Sequence, residues 1–231
     1  MKKLVLLGLV MALLVGTAVL PPAANAQGAG LVSSILNKME RNRRDMRSLR
    51  AGVLMQKYNA QIKVYDNFQG EVQYVPGAGK DVSVRIDWQK PQREHLAVSG
   101  GKYTLFKPRM NMAYQGTTSN ASKNSKVSGV LGFGLGMSKA QFNSAYNVEL
   151  LGEGTLDGPH VWLLKFTPKG NAGFKYAEVW VDDSGMPLQT RVTERNNDST
   201  LVRLLNPQKN VRIPSDAFSL QLGAGVKIVK G

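Results

Sequence analysis

The sequence predicts a mainly β protein with flanking helices, an α+β chain built on one large curved antiparallel sheet. An apolar stripe at helical spacing comes first, at Leu31, Val32, Ile35, Leu36, Met39 and Met46. From Leu49 the apolar period falls to two, and Gly, Asn, Asp and Pro turns punctuate the chain. Strand follows strand without βαβ spacing, which makes the sheet antiparallel.

The N-terminus reads as an address. Met1-Lys2-Lys3 is basic, residues 4–20 are almost wholly apolar, Pro21-Pro22 breaks a helix, and Ala24-Asn25-Ala26 is an A-x-A processing site. Residues 1–26 therefore read as a cleaved bacterial signal peptide, leaving 27–231 as a single domain. A membrane anchor is the alternative for an apolar stretch of this length, and the Pro pair with A-x-A argues for cleavage. No later stretch approaches about 20 apolar residues, so a soluble periplasmic product is expected. The chain has no Cys, which excludes disulfides, thiolate metal sites, a Cys nucleophile and lipidation of the mature N-terminus. Its 30 Lys and Arg against 16 Asp and Glu give a net charge of +14, from which the signal segment removes two. Outside the cytoplasm that charge faces anionic membrane or acidic protein partners rather than nucleic acid.

The elements follow in order. The apolar stripe makes a helix over 30–48, with Arg43 inside it, either snorkelling at the rim or marking a bend. Arg41, Arg44, Arg47 and Arg50 fall mostly on other faces, as a solvated surface or an anionic docking patch. Strands are expected at 49–58 and 62–75, with a turn near Asp66-Asn67 as one option, then a loop over 76–79. Residues 81–88 alternate most cleanly: Val82, Val84, Ile86 and Trp88 face one way, Asp81, Ser83, Arg85 and Asp87 the other. Strands at 94–98 and 102–107 flank a Gly100-Gly101 turn, and Pro108 leads into 110–115, where Met110, Met112 and Tyr114 share a face. A polar loop spans 116–128, and an apolar glycine-rich segment spans 129–137. Ser138 caps a short helix over 139–146. Further strands fall at 148–153, 160–168, 176–182, 188–195 and 200–206, with turns at Asp157-Gly158, 182–185 and 196–198. The tail adds a helical turn at 213–218 and a closing strand at 226–229. About ten or eleven strands in one sheet should curl, and two helical pieces are too few to fill the concave side. A leftover apolar cavity follows.

The apolar faces nominate Val82, Val84, Ile86, Trp88, Leu96, Val98, Tyr103, Leu105, Met110, Met112 and Tyr114 as cavity lining. Phe133, Leu135 and Met137 are the candidate lid, glycines around them allowing motion, although a buried packed loop explains the segment as well. Met and aromatic side chains adapt to flexible acyl chains, but each is also ordinary core material. Gly132-Phe133-Gly134-Leu135-Gly136 lacks the G-x-G-x-x-G and G-K-[ST] patterns and any βαβ setting, so it is no phosphate loop. His95 and His160 have no carboxylate placed beside them by the sequence, and Asp182-Asp183-Ser184-Gly185 is explained by a hairpin turn as fully as by a calcium loop. No nucleophile motif or H-E-x-x-H occurs. No catalytic residue, metal or cofactor is expected, and the chain does not read as an enzyme.

The run Pro91-Gln92-Arg93-Glu94-His95-Leu96-Ala97-Val98-Ser99-Gly100-Gly101-Lys102-Tyr103-Thr104-Leu105-Phe106-Lys107-Pro108 resembles the "P-x-x-x-x-L-V-S-D-G-x-x-L-W-x-Y-x-P" hairpin of the LolA-like periplasmic outer-membrane lipoprotein carriers. The opening Ile35-Leu36-Asn37-Lys38-Met39 and the ending Ile213-Pro214-Ser215-Asp216-Ala217-Phe218, then Gly225-Val226-Lys227-Ile228-Val229, are similar to that family's opening helix and closing segment. The resemblance implies an unclosed β-barrel with a helical lid over an apolar cavity. It implies a monomeric carrier of lipoprotein acyl chains or another envelope lipid, moving between an inner-membrane donor and an outer-membrane acceptor, with transient contact to anionic membrane and none to nucleic acid. A stress sensor or regulatory lipid-binding protein of the same fold is the alternative. Val75-Pro76 stands where best-known carriers have an Arg-Pro pair whose Arg holds the lid.

Overall fold

The computed structural model describes residues 23–77, 82–118 and 135–230. The opening helix α1 spans Ala23–Asp45. It begins before residue 30, inside the segment expected to be removed, and ends three residues short of Ser48. Six strands follow: β1 (Leu49–Asn59), β2 (Val64–Pro76), β3 (Val82–Lys90), β4 (Glu94–Ser99), β5 (Lys102–Lys107) and β6 (Met112–Thr117). The short helix α2 (Lys139–Ala145) leads to β7 (Tyr146–Thr155), β8 (His160–Pro168), β9 (Phe174–Asp182), β10 (Pro187–Glu194), β11 (Ser199–Lys209) and β12 (Lys227–Lys230).

All twelve strands form one unclosed sheet in the order β12-β6-β5-β4-β3-β2-β1-β11-β10-β9-β8-β7. Strands that are neighbours both in sequence and in the sheet pair antiparallel. The closing strand differs: β12 pairs parallel with β6, Lys227 opposite Met112 and Lys230 opposite Gln115. The first hairpin turns at residues 60–63, with Lys63 at φ 55° and Asn59 Oδ1 accepting from the Gln61 and Ile62 amides. Asp66 and Asn67 lie within β2, opposite Lys57 and Gln56.

Register places the apolar residues on one face without a break. Because directly opposed residues share a face, Tyr114, Leu105, Leu96, Ile86, Val72 and Ala51 form one rung across β6 to β1. Met55, Val202, Thr190, Val179, Leu164 and Leu150 continue the face from β1 to β7. Two clusters cover it. Over β7–β9, Ile35, Leu36 and Met39 of α1 and Phe142 of α2 pack on Trp162, Leu164, Phe166, Ala177, Val179 and Val181. Over β1–β5, Met46 and Met186 join Val53, Met55, Tyr74, Val84, Ile86, Trp88, Leu96, Val98 and Tyr103, with Leu135 packed on them.

A close approach seats α1 on the sheet. The turn between β9 and β10 is organised by Asp182, whose Oδ1 accepts from Ser184 N, Ser184 Oγ and Met186 N. Its Gly185, at φ +84°, lies so close to α1 that a Cβ there would stand 2.3 Å from the Lys38 carbonyl. Ser138 and Gln141 form a reciprocal capping box at the start of α2.

Candidate functional site

Ten of the eleven nominated cavity residues lie on the inner face of β3–β6. Val84, Ile86, Trp88, Leu96, Val98 and Tyr103 are buried in the cluster, and Val82, Leu105 and Tyr114 are partly buried against it. Met112, two residues before Tyr114, shares its side of the half-buried strand β6. Met110 departs from the expectation. Pro108–Met110 is a 3₁₀ turn ended by Asn111 in the left-handed region, so β6 starts two residues later than its apolar spacing suggests. Met110 is 53% exposed and off the face. Of the lid residues, Phe133 lies outside the described residues. Leu135 packs on the β1–β5 cluster and Met137 on the helix-covered one, so the segment entering α2 straddles both.

Between α1, β2, β3 and this segment is a crevice of about 50 Å³, lined by Arg43, Met46, Tyr74, Pro76, Val82, Leu135 and Gly136. That is room for a water or two, not a chain of methylenes. Arg43 of the helix and Pro76 line this crevice together, although Val75 precedes the proline. Burial pushes the Tyr74 hydroxyl pKa up, and the nearby Arg43 charge opposes that shift.

Glu40 ties α1 to α2. It accepts from Arg43 Nη2 at 2.9 Å, from Arg44 Nε at 2.8 Å and from the Lys139 amide at 3.1 Å. The Arg43 hydrogen bond leads in lowering its pKa to about 2, with the Lys139 amide and Arg44 helping against partial burial. The Lys139 amide opens α2, where a helix favours negative charge. Lys139 returns the contact through Nζ to Ser33 Oγ (3.0 Å) and Asn37 Oδ1 (2.8 Å). Arg43 thus sits at the rim, in an ion pair rather than at a bend.

The apolar face ends on a buried ion pair. Glu94, 2% exposed, is held by Gln92 Nε2 at 2.9 Å and lies 3.7 Å from Lys107 Nζ. Both histidines have carboxylates that sequence reasoning missed. His95 Nδ1 is 2.6 Å from Asp87 Oδ1, and His160 Nδ1 is 3.0 Å from Asp183 Oδ1. For His95 the signal was available, since a short hairpin sets Asp87 directly opposite it. Among the described residues no cluster of three His, Cys, Asp or Glu could hold a metal, and no helix is long and apolar enough to cross a membrane. The 182–185 loop is a hairpin turn.

The family model for the outer membrane lipoprotein carrier protein LolA matches residues 48–221. No curated protein shows a significant match. Among solved structures the fold is similar to MucB, at TM-score 0.57 and 16% identity over 87% of this chain and 66% of that one. It is also similar to an uncharacterized conserved protein from Thermus thermophilus, at TM-score 0.54 and 13% identity over 87% and 99% of the two chains. The MucB chain in the MucA/MucB complex of Pseudomonas aeruginosa gives TM-score 0.50 and 16% identity, over 85% of this chain and 62% of that one. The chain therefore spans somewhat less than two thirds of the MucB chains it matches. By its family match over most of its length, this chain belongs to the outer membrane lipoprotein carrier (LolA) family.

Proposed function

We propose that this protein is a periplasmic carrier, exported by residues 1–26, that shields the acyl chains of lipoproteins or another envelope lipid on the inner face of β1–β6. The carrying observation is the uneven cover of one continuous apolar face. Among the described residues, two helices pack on β7–β9, whereas the β1–β5 cluster is met by Met46 at the end of α1, by Met186 and by Leu135. Among the described residues about 50 Å³ is open beside Leu135, so in this reading acyl chains take the place of side chains that cover the face. Each methylene then buried contributes about 0.8 kcal/mol, enough for a few chains to bind tightly. The mechanism is burial and release; no bond is made or broken, so no enzymatic activity is assigned.

Native mass spectrometry of gently purified protein tests this, with Tyr114→Glu and Leu105→Glu as variants placing a charge on the partly exposed edge of the face. Co-purified lipid that either variant removes supports the carrier. Lipid-free protein that fails to take up lipid from vesicles overturns it.

The likeness to MucB favours one second reading, a regulatory binding protein acting through a protein partner, as in the MucA/MucB complex. Capture of a membrane-protein partner without lipid transfer between vesicles supports that reading over the carrier.

A further inference from the structure

The β1–β2 hairpin runs past its neighbour in the sheet. β3 ends at Lys90, opposite Gln69, so residues 64–68 of β2 lie beyond its last pair. There the hairpin holds an apolar tip in water: Ile62 is 67% exposed, Val64 50% and Tyr65 54%. Among the described residues, three of the seven exposed large hydrophobic side chains thus fall within four consecutive positions. A single exposed apolar residue needs no explanation, whereas a contiguous group marks a contact surface.

The tip is held in this form by its own hydrogen bonds. Asn59 Oδ1 accepts from the Gln61 amide at 3.0 Å and the Ile62 amide at 3.2 Å, and Lys63 takes a left-handed φ of 55°. The Ala60 amide donates to Asp198 Oδ1 of the β10–β11 turn at 2.7 Å, and the Tyr58 and Tyr65 rings stand 4.6 Å apart across the ladder. Cations accompany it. Lys63 sits between Ile62 and Val64, Lys90 stands at the last pair of β2 with β3, and Arg93 follows in the exposed β3–β4 turn. Of the carboxylates there, Asp66 lies opposite Lys57, Asp198 accepts from Ala60 and from Asn196 Nδ2, and Glu194 stands next to Arg195. Apolar side chains set among lysines fit a bilayer interface, where the apolar groups enter the acyl boundary, tyrosine sits at headgroup level and lysine meets anionic lipid. A stable protein interface takes about 800 Å² from each partner, which a four-residue tip does not supply.

We propose that the β1–β2 tip docks this protein on an anionic membrane surface, with Ile62 and Val64 in the acyl boundary, Tyr65 at headgroup level, and Lys63, Lys90 and Arg93 facing lipid phosphates. The inner apolar face begins beside the tip. Phe68 lies four residues from Val64 on the same side of β2 and packs edge-on against Trp88, so docking brings this end of the face to the lipid. The proposal rests on the envelope setting of the carrier reading and names the surface through which such a carrier meets a membrane.

The chain has no Cys, so Ile62→Cys in the full chain gives a single site for a polarity-sensitive fluorophore. Ser99→Cys, exposed at the β4–β5 turn on the opposite end of the sheet, is the control. The probes are vesicles of phosphatidylglycerol with phosphatidylethanolamine and vesicles of phosphatidylcholine alone. Emission at position 62 should rise with the anionic vesicles, fall back as salt is added, and stay flat at position 99. Because the label reports its own surroundings, an N-terminal segment that itself binds vesicles does not mimic this result. Lys63→Glu in the labelled chain should raise the lipid needed for half the rise about fivefold or more. No rise at 62, an equal rise at 99, an equal rise with phosphatidylcholine, or an unchanged lipid requirement in Lys63→Glu would each overturn the proposal. Self-association that Ile62→Ser abolishes, without a vesicle response, would assign the tip to a second copy and overturn it as well. Native mass spectrometry of the same samples keeps the two readings apart: docking without carried lipid fails the carrier and supports the tip, and carried lipid without docking does the reverse.

Discussion

The two halves of the sheet share one apolar face but cover it differently. Over β7–β9 the cover is helix on strand. Ile35, Phe142, Leu164, Phe166, Ala177, Val179 and Val181 are at most 1% exposed, and Phe142, Tyr146, Phe166 and Phe174 form a contiguous aromatic group. Over β1–β6 the face runs out to half-exposed Leu105, Met112 and Tyr114, and the segment entering α2 contributes Leu135. Among the described residues, one half is covered by two helices and the other by a few separate side chains. Hydrophobic burial is roughly proportional to area whichever side supplies it, and the proposed carrier would use the second half rather than the first.

Removing the core of the sealed half breaks this contrast most directly. Phe166→Ala should cost about 3–5 kcal/mol, because the aromatic group around it cannot collapse into the space. Urea denaturation measures it, and a loss below about 1 kcal/mol would mean that this half is as loosely filled as the other. The second largest effect is expected at the helix–turn contact. Gly185→Ala strains a backbone at φ +84° and drives a methyl onto the Lys38 carbonyl. The backbone conformation alone is worth roughly 1–3 kcal/mol, and the clash should lift α1 from its seat. Amide exchange in α1 should accelerate more than exchange in β3 and β4.

Glu40 sharpens the comparison through pH. Its pKa falls from 4.5 to about 2 in the folded protein, chiefly through Arg43. A lowered folded pKa means that the charged carboxylate stabilises the fold above about pH 4.5, and that this contribution disappears as the pH drops toward 2. Arg44 is 71% exposed and adds little. Glu40→Gln should therefore cost on the order of 2 kcal/mol at pH 7, and the gap between variant and parent should close by about pH 2. A gap independent of pH would show that shape rather than charge holds α2 against α1.

Much of this arrangement is legible in the alternation of the sequence. Val82, Val84, Ile86 and Trp88 announce their common face because a strand has a period of two, and Ser138 announces its cap because Gln141 stands three residues on. What is lost depends on chain geometry that spacing does not encode. Met110 follows the i, i+2 pattern of Met112 and Tyr114, yet the 3₁₀ turn at Pro108 and left-handed Asn111 put it outside the strand. The parallel pairing of β12 with β6 joins residues more than a hundred positions apart. The first turn forms at 60–63 rather than at Asp66-Asn67, because pairing with Lys57 and Gln56 takes both residues into the ladder. Arg50 looked like one more surface arginine of a basic run, and only the register with Gln73 and Arg85 sets it on the outer face of the sheet.

The smallest stability effect is expected where the functional effect is largest. Tyr114 lies on β6, half-buried at the margin of the inner face, with Lys107 Nζ 5.6 Å above its ring. Truncating it to Ala removes little enclosed packing, so the loss should be about 1 kcal/mol or less, far below the cost at Phe166. If the β1–β6 face holds acyl chains, the same substitution removes apolar area from the ligand's side of the interface, and bound lipid should fall severalfold by native mass spectrometry. Phe166→Ala should show the converse, a large loss of stability with lipid per folded molecule unchanged. The two substitutions together separate a cover that keeps the protein folded from a face that is free to exchange it. Equal lipid loss in both would place the ligand across the whole sheet and remove the distinction between the halves.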